Sequence, residues 1–235
     1  MTNTTTFLTL DNGLTVHLKE IHTAPIISTW VWYRVGSRNE TKGKTGISHW
    51  VEHMQFKGTE KFPPGYLDRE ISRVGGIWNA MTYLDWTTYF ETLPAHIFEI
   101  SLELEADRMA NSRFIPEEVE RERTVIISER EGNENEPLFL LGEAVQSAAF
   151  FNHPYKNEVI GLMEDIETIT RDDLYDHYRA FYDPGNAILA VAGDFETDAL
   201  LEKINNQFGS ISTHGVSKSP VAIEPPLSGE KQVTV

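Results

Sequence analysis

The sequence predicts an α+β fold, a mixed, mostly antiparallel sheet with helices packed on one side. Three observations carry that expectation. Short runs of β-branched and aromatic residues fill the first third of the chain and return near residue 190. Amphipathic stretches with a 3.6-residue period lie between them and after them. The two kinds of segment alternate only in part, which fits a mixed sheet better than a doubly wound one. The chain has 235 residues, 40% hydrophobic and 24% charged, enough to bury a sizeable core in one main domain.

The elements are expected in this order. Residues 7–10 and 14–18 are strands joined at Asp11-Asn12-Gly13, a good hairpin turn. Residues 25–35, rich in Ile, Val, Trp and Tyr, suit a central strand. A helix follows, with Thr45 able to cap its start and Gly58 placed for a left-handed stop. Pro64 opens a helix over 65–74, ended by Gly75-Gly76. Residues 78–81 and 87–93 read as strands. A helix over 95–111 turns Ile97, Ile100, Leu104 and Met109 inward. Pro116 begins another helix with Glu117 and Glu118 at its positive end. A polar loop is expected at 132–137, then helices at 138–151 and 171–182, a buried strand at 187–192 and a closing helix at 197–208. There is no internal repeat.

The helix over 45–58 has two working faces. Ile47, Trp50, Val51 and Met54 make an apolar stripe, while His49, Glu52, His53 and Phe56 have the same spacing on an adjoining face. His-x-x-Glu-His places two imidazoles one turn apart, able to grip one ion, with a carboxylate beside them. For either histidine alone, a satisfied core or surface residue is the plainer reading. The two together, with Glu52 between them, point to zinc.

A catalytic zinc site keeps three protein ligands and one open position. The chain has no Cys, so the third ligand is His, Asp or Glu. The helix that begins at Pro116 supplies candidates, because Glu118, Glu122, Val125 and Glu129 share a face. Glu122 and Glu129 are separated by roughly 10 Å along the axis, so they cannot both bind one ion directly. Helix geometry does not choose between them. A charged, solvated helix with Glu–Arg pairs accounts for Glu118, Glu120, Arg121 and Arg123.

The run Gly43-Lys44-Thr45-Gly46-Ile47-Ser48-His49-Trp50-Val51-Glu52-His53-Met54-Gln55-Phe56-Lys57-Gly58-Thr59 strongly resembles the pitrilysin-like metallopeptidases, the family of insulinase and the mitochondrial processing peptidase. Gly75-Gly76-Ile77-Trp78-Asn79-Ala80-Met81-Thr82, continuing through Asp85, Thr87 and Tyr89, extends the likeness. So does Glu120-Arg121-Glu122-Arg123 leading to Ile127-Ser128-Glu129. The resemblance runs from the first strand to the end of the chain. It implies that Glu129 is the third ligand and Glu122 its helper. One zinc ion would then be held by His49, His53 and Glu129. Zinc in such a site acidifies water and polarises a carbonyl, and Glu52 is the expected proton carrier for peptide hydrolysis.

The family's peptide-pairing edge strand matches residues 78–82, which implies substrate contacts at Asn79 and Ala80. Phe56 resembles its aromatic wall beside the scissile bond. Taken without the resemblance, an ordinary core strand with an Asn at a bend is the better reading of residues 78–82, and simple packing of Phe56 is as good a reading as a wall. Family members pair this domain with a second, similar one that contributes an Arg/Tyr pair. The expected organisation is therefore a catalytic metallopeptidase domain at 1–222, with 223–235, including Pro225-Pro226, as the linker and opening strand of a missing second domain. A homologous second domain or subunit, in a homo- or heterodimer, is the expected partner. The family also contains non-catalytic structural or substrate-presenting subunits, but these usually have eroded motifs. Hydrolysis of some other bond is a third, weaker reading.

The formal net charge of −16 argues against nucleic acid and against anionic membranes. It suits either basic peptides or plain solubility. The polar start, Met1-Thr2-Asn3-Thr4-Thr5-Thr6, lacks a basic and apolar signal pattern, and no run is long enough to span a bilayer. With the absence of Cys, this leads to a cytoplasmic expectation.

Overall fold

Six strands share one sheet in the order β1-β2-β6-β3-β5-β4, seen in a computed structural model that describes residues 5–215, 222–232 and 234. β1 (Thr5–Thr9) and β2 (Thr15–Glu20) form the expected hairpin. Gly13 turns it at φ 89°, a conformation open to glycine. β6 (Ala187–Gly193) inserts between β2 and β3 (Ile26–Tyr33), parallel to the first and antiparallel to the second. β5 (Thr87–Pro94) and β4 (Ile77–Thr82) complete the sheet in antiparallel pairing. One parallel pair among five gives the mixed, mostly antiparallel sheet the sequence predicts.

The described helices are α1 (Ile47–Met54), α2 (Tyr66–Arg73), α3 (Glu99–Asn111), α4 (Pro116–Asn133), α5 (Pro137–Ala149), α6 (Met163–Thr168), α7 (Arg171–Phe181) and α8 (Thr197–Phe208). Side-chain alternation along the strands shows which face they cover. Val16, Leu18, Ile27, Val31, Tyr89, Leu189 and Val191 are buried in the core. Their neighbours Trp30, Trp32 and Phe90 are only partly covered on the opposite face. There Trp30 stacks on Phe90 at 4.2 Å and on Trp32 at 5.7 Å.

Several boundaries differ from expectation, and one short helix was not expected. The helix predicted from residue 95 starts at Glu99, because residues 95–98 make a turn first. The polar loop expected at 132–137 shrinks to 134–136, since α4 runs on to Asn133 and Arg130 ties to both Glu134 and Glu143. The six-residue α6 was hidden by its brevity. Charge also enters the core. Arg108 on α3 pairs with Glu105 and, at 3.2 Å, with Glu91 on β5, all three fully buried. The guanidinium also lies over the Tyr89 ring, 4.2 Å from its centre.

Residues 222–232 run without regular structure, and Glu224 accepts the backbone N–H groups of Phe151, Asn152 and His153. The expected polar residues 1–4, and residues 216–221 before the expected boundary at 222, lie outside the described residues. Among the described residues no helix is long and apolar enough to cross a membrane.

Candidate metal centre

The motif helix is built as its pattern demands. Ile47, Trp50, Val51 and Met54 are buried, so the adjoining face carries His49, Glu52 and His53 toward α4 and β4. Its start differs from expectation. Gly46, at φ 84°, is the N-cap. A Cβ at that position would lie 2.3 Å from the Ile160 carbonyl oxygen, so glycine is required there. Thr45 does not cap, because its hydroxyl donates to the buried carboxylate of Asp165 at 2.6 Å. Glu40 takes over the capping role: it accepts the N–H groups of Gly46 and Ser48, each at 2.9 Å. A buried carboxylate at a helix N-terminus satisfies orphan donors and faces the positive end of the dipole.

Three donor groups converge. His49 Nε2 lies 3.7 Å from one Glu129 oxygen, and His53 Nε2 lies 3.6 Å from the other. One ligand atom from each of His49, His53 and Glu129 fits within a mutual separation of 4.8 Å. A tetrahedral zinc site with bonds of about 2.1 Å separates its donors by about 3.4 Å, so small side-chain shifts close this set on an ion. The chemistry fits as well. Burial, together with the neighbouring His53, pushes His49 down to about 3, which keeps the ring neutral and able to ligate.

His53 resolves the choice that helix spacing left open. Its Nδ1 meets Glu122 at 2.8 Å while its Nε2 faces Glu129. One imidazole thus spans the two turns of α4 between the carboxylates, and only Glu129 reaches the side shared with His49. Burial disfavours the charged His53 ring, but the Glu122 carboxylate overcomes this and holds the ring above its ordinary value. Burial likewise pushes Glu122 up, while bonds from His53 and Lys57 bring it below the usual carboxylate range. Lys57, near the end of the motif segment, is bonded directly to Glu122. Arg123, next along α4, lies over Trp50 at 4.7 Å and donates to the carbonyls of Ile166 and Ile169. This joins α4, α6 and the motif helix.

Glu52 stands beside the donor set without belonging to it. It is 8% exposed. Burial raises it above the usual carboxylate value, and a bond from Thr82 limits the rise. That bond joins Thr82 Oγ1 to Glu52 Oε2 at 2.5 Å. Sequence reasoning assigned no role to Thr82, Lys57 or Glu40. Thr82 stands inside a stretch that resembles the family, but nothing in its spacing from Glu52 signals contact.

β4 is an edge strand. Ala80 and Trp78 lie on its helix-facing side, where the Trp78 ring packs 4.7 Å from Phe56. Asn79 is exposed and pairs with Phe90, so it projects to the other side. Its Oδ1 accepts the Ala80 N–H at 2.9 Å. Ala80 therefore shares with Trp78 the side of β4 on which Phe56 packs, whereas Asn79 projects from the opposite side.

Comparison with known proteins gives a consistent picture. A family model described as Insulinase (Peptidase family M16) matches residues 15–162. A second, described as the M16 peptidase inactive domain, matches residues 168–235. The zinc protease PqqE of Helicobacter pylori is 34% identical over 232 residues, which is 97% of this chain and 52% of that protein. A probable mitochondrial-processing peptidase subunit beta of Arabidopsis thaliana is 30% identical over 220 residues, 94% of this chain and 41% of that one. The crystal structure of a protease from Helicobacter pylori superposes with a TM-score of 0.90 at 34% identity, covering 95% of this chain and 55% of the other. The chain spans about half the length of the curated relatives it matches.

Proposed function

The chain belongs to the insulinase family of metallopeptidases, and from that premise we propose that it is the zinc-holding half of an endopeptidase that hydrolyses extended peptides or small proteins. The observation that carries this reading is the convergence of His49, His53 and Glu129 within 4.8 Å, beside a buried Glu52 that is not one of them. When bound there, zinc supplies a Lewis acid that lowers the pKa of water and polarises a carbonyl.

The remaining chemistry belongs to the protein's own groups. Glu52 takes a proton from the attacking water and returns it to the leaving amine. A carboxylate engaged as a tight ligand could not do this, which is why the acid inside the motif is the base and Glu129 is the ligand. Glu122 orients His53 through Nδ1 and leaves Nε2 for the metal. The free edge of β4 receives an extended peptide through main-chain hydrogen bonds, which read backbone and tolerate many sequences. Ala80 gives close approach, Phe56 a wall, and Asn79 a polar group at the edge. A second homologous domain or subunit completes the enzyme, with residues 223–235 leading toward it. The alternative, a non-catalytic subunit, is disfavoured by the full set of ligand and base side chains.

Metal analysis and peptide cleavage test the proposal. The purified chain should hold one zinc ion and, joined by its second domain or subunit, cleave an unstructured quenched-fluorescence peptide. A chelator should stop cleavage, and added zinc should restore it. A chain that binds no zinc, or cleavage indifferent to the chelator, would overturn the reading.

A further inference from the structure

We propose that Thr82 is a positioning residue for the general base. Its hydroxyl fixes the Glu52 carboxylate in the orientation from which it accepts a proton, and couples that orientation to the peptide-pairing strand. The inference rests on the role assigned to Glu52 above.

The direction of the hydrogen bonds is settled by counting protons. Thr87 Oγ1 donates to the Val35 carbonyl at 2.9 Å, so its single proton is committed. Thr82 Oγ1 lies 3.4 Å from Thr87 Oγ1 and 2.5 Å from Glu52 Oε2. An ionised carboxylate can only accept. Thr82 therefore gives its one proton to Glu52, in a charge-assisted bond of the stronger class. Thr82 and Glu52 are each 8% exposed and Thr87 is fully buried, so water competes poorly for these groups.

The restraint matters because of what lies nearby. A Glu side chain in this place has a flexible terminal bond and two imidazoles beside it. Unrestrained, it could turn to ligate the ion or pair with His53, and in either pose it would lose the attacking water. Holding Oε2 on Thr82 leaves Oε1 as the free proton acceptor. Thr82 is also the last residue of β4, paired with Thr87, and its side chain shares the helix-facing side with Trp78 and Ala80. One bond thus links the edge that receives peptide to the group that moves the proton. Thr82 is not one of the three converging donors, so its effect should reach turnover and spare metal binding.

The test compares Thr82→Val, which keeps the shape and removes the donor, with Thr82→Ser, which keeps the donor. In the full-length protein, Thr82→Val should lower kcat about 10–100-fold with KM changed by less than about twofold. Thr82→Ser should restore most of kcat. Zinc content and chelator-competition affinity should match the wild type in both. In a Glu52→Gln background, Thr82→Val should cause no further loss. A crystal structure of Thr82→Val should show the Glu52 carboxylate turned from its wild-type position, a readout independent of activity. Should valine prevent folding, Thr82→Ala makes the same comparison.

Wild-type kcat in Thr82→Val, with Glu52→Gln inactive, overturns the positioning role and leaves the base assignment standing. Loss of zinc in Thr82→Val, or failure of serine to restore turnover, makes the role purely structural and also overturns the inference. Wild-type turnover in Glu52→Gln would instead overturn the proposed function.

Discussion

Glu122→Gln separates a supporting carboxylate from a bystander. Glu122 accepts from His53 Nδ1 at 2.8 Å and is bonded to Lys57 on its other oxygen. Glutamine keeps the size and one acceptor but removes the charge facing both partners. Loss of such an outer partner costs about 10–100-fold in metal affinity, or about 1.4–2.8 kcal/mol. The same loss can be read thermally. With free zinc at about 100 times the wild-type Kd, zinc adds about 2.7 kcal/mol to folding, falling to about 1.4 or 0.4 kcal/mol if affinity drops ten- or hundredfold. At roughly 2–4 °C per kcal/mol for a chain of this size, zinc should raise Tm by about 5–11 °C in the wild type and about 1–6 °C in the variant. Chelator competition and melts with and without zinc measure both quantities. Equal affinity and an equal zinc-induced shift in Glu122→Gln would refute the argument that Glu122 holds His53 for the metal.

Other consequences follow from the same contacts. Glu129→Ala should abolish zinc binding measured by metal analysis while the metal-free protein keeps its far-ultraviolet circular dichroism, because Glu129 is an exposed ligand and not a core group. In the metal-free protein, NMR titration should place His53 above the ordinary imidazole value of 6.5, and Glu122→Gln should lower it. The sign for stability follows: this group favours the metal-free fold fully below the ordinary value, and its contribution is lost as pH rises through the raised one. Arg108→Met should leave Glu91 and Glu105 buried without a countercharge, costing about 3–5 kcal/mol and roughly 6–20 °C in Tm. Replacing both acids by apolar residues in the same variant should recover much of that loss, as thermal melts would show.

What the sequence made legible was local. His49, Glu52 and His53 were readable because helical spacing sorts side chains by face, and Ile47, Trp50, Val51 and Met54 marked the adjoining face for burial. Glu122 and Glu129 were readable as a pair two turns apart, but their division of labour was not. It depends on which nitrogen of His53 each one meets, and that is fixed by packing of α1 on α4. The strand runs were visible, yet the insertion of β6 between β2 and β3 was not, since it joins segments about 170 residues apart. Glu91, Glu105 and Arg108 escaped notice because hydropathy assigns charges to the surface, whereas here one buried guanidinium is shared by two buried carboxylates. Thr82 and Glu40 escaped for a related reason: Glu40 reaches α1 across a loop and Thr82 reaches it from the end of β4, with no periodicity to announce either contact. Thr45 looked like the helix cap because its residue type suits that position, but Asp165 claims its hydroxyl.

Anomalous diffraction at the zinc edge, on crystals of the zinc-loaded protein, tests the central claim most directly. The account predicts one anomalous peak about 2.0–2.2 Å from His49 Nε2, His53 Nε2 and a Glu129 oxygen, with Glu52 outside bonding distance. A peak coordinated by Glu52, a peak elsewhere on the chain, or no peak in zinc-saturated crystals would contradict it.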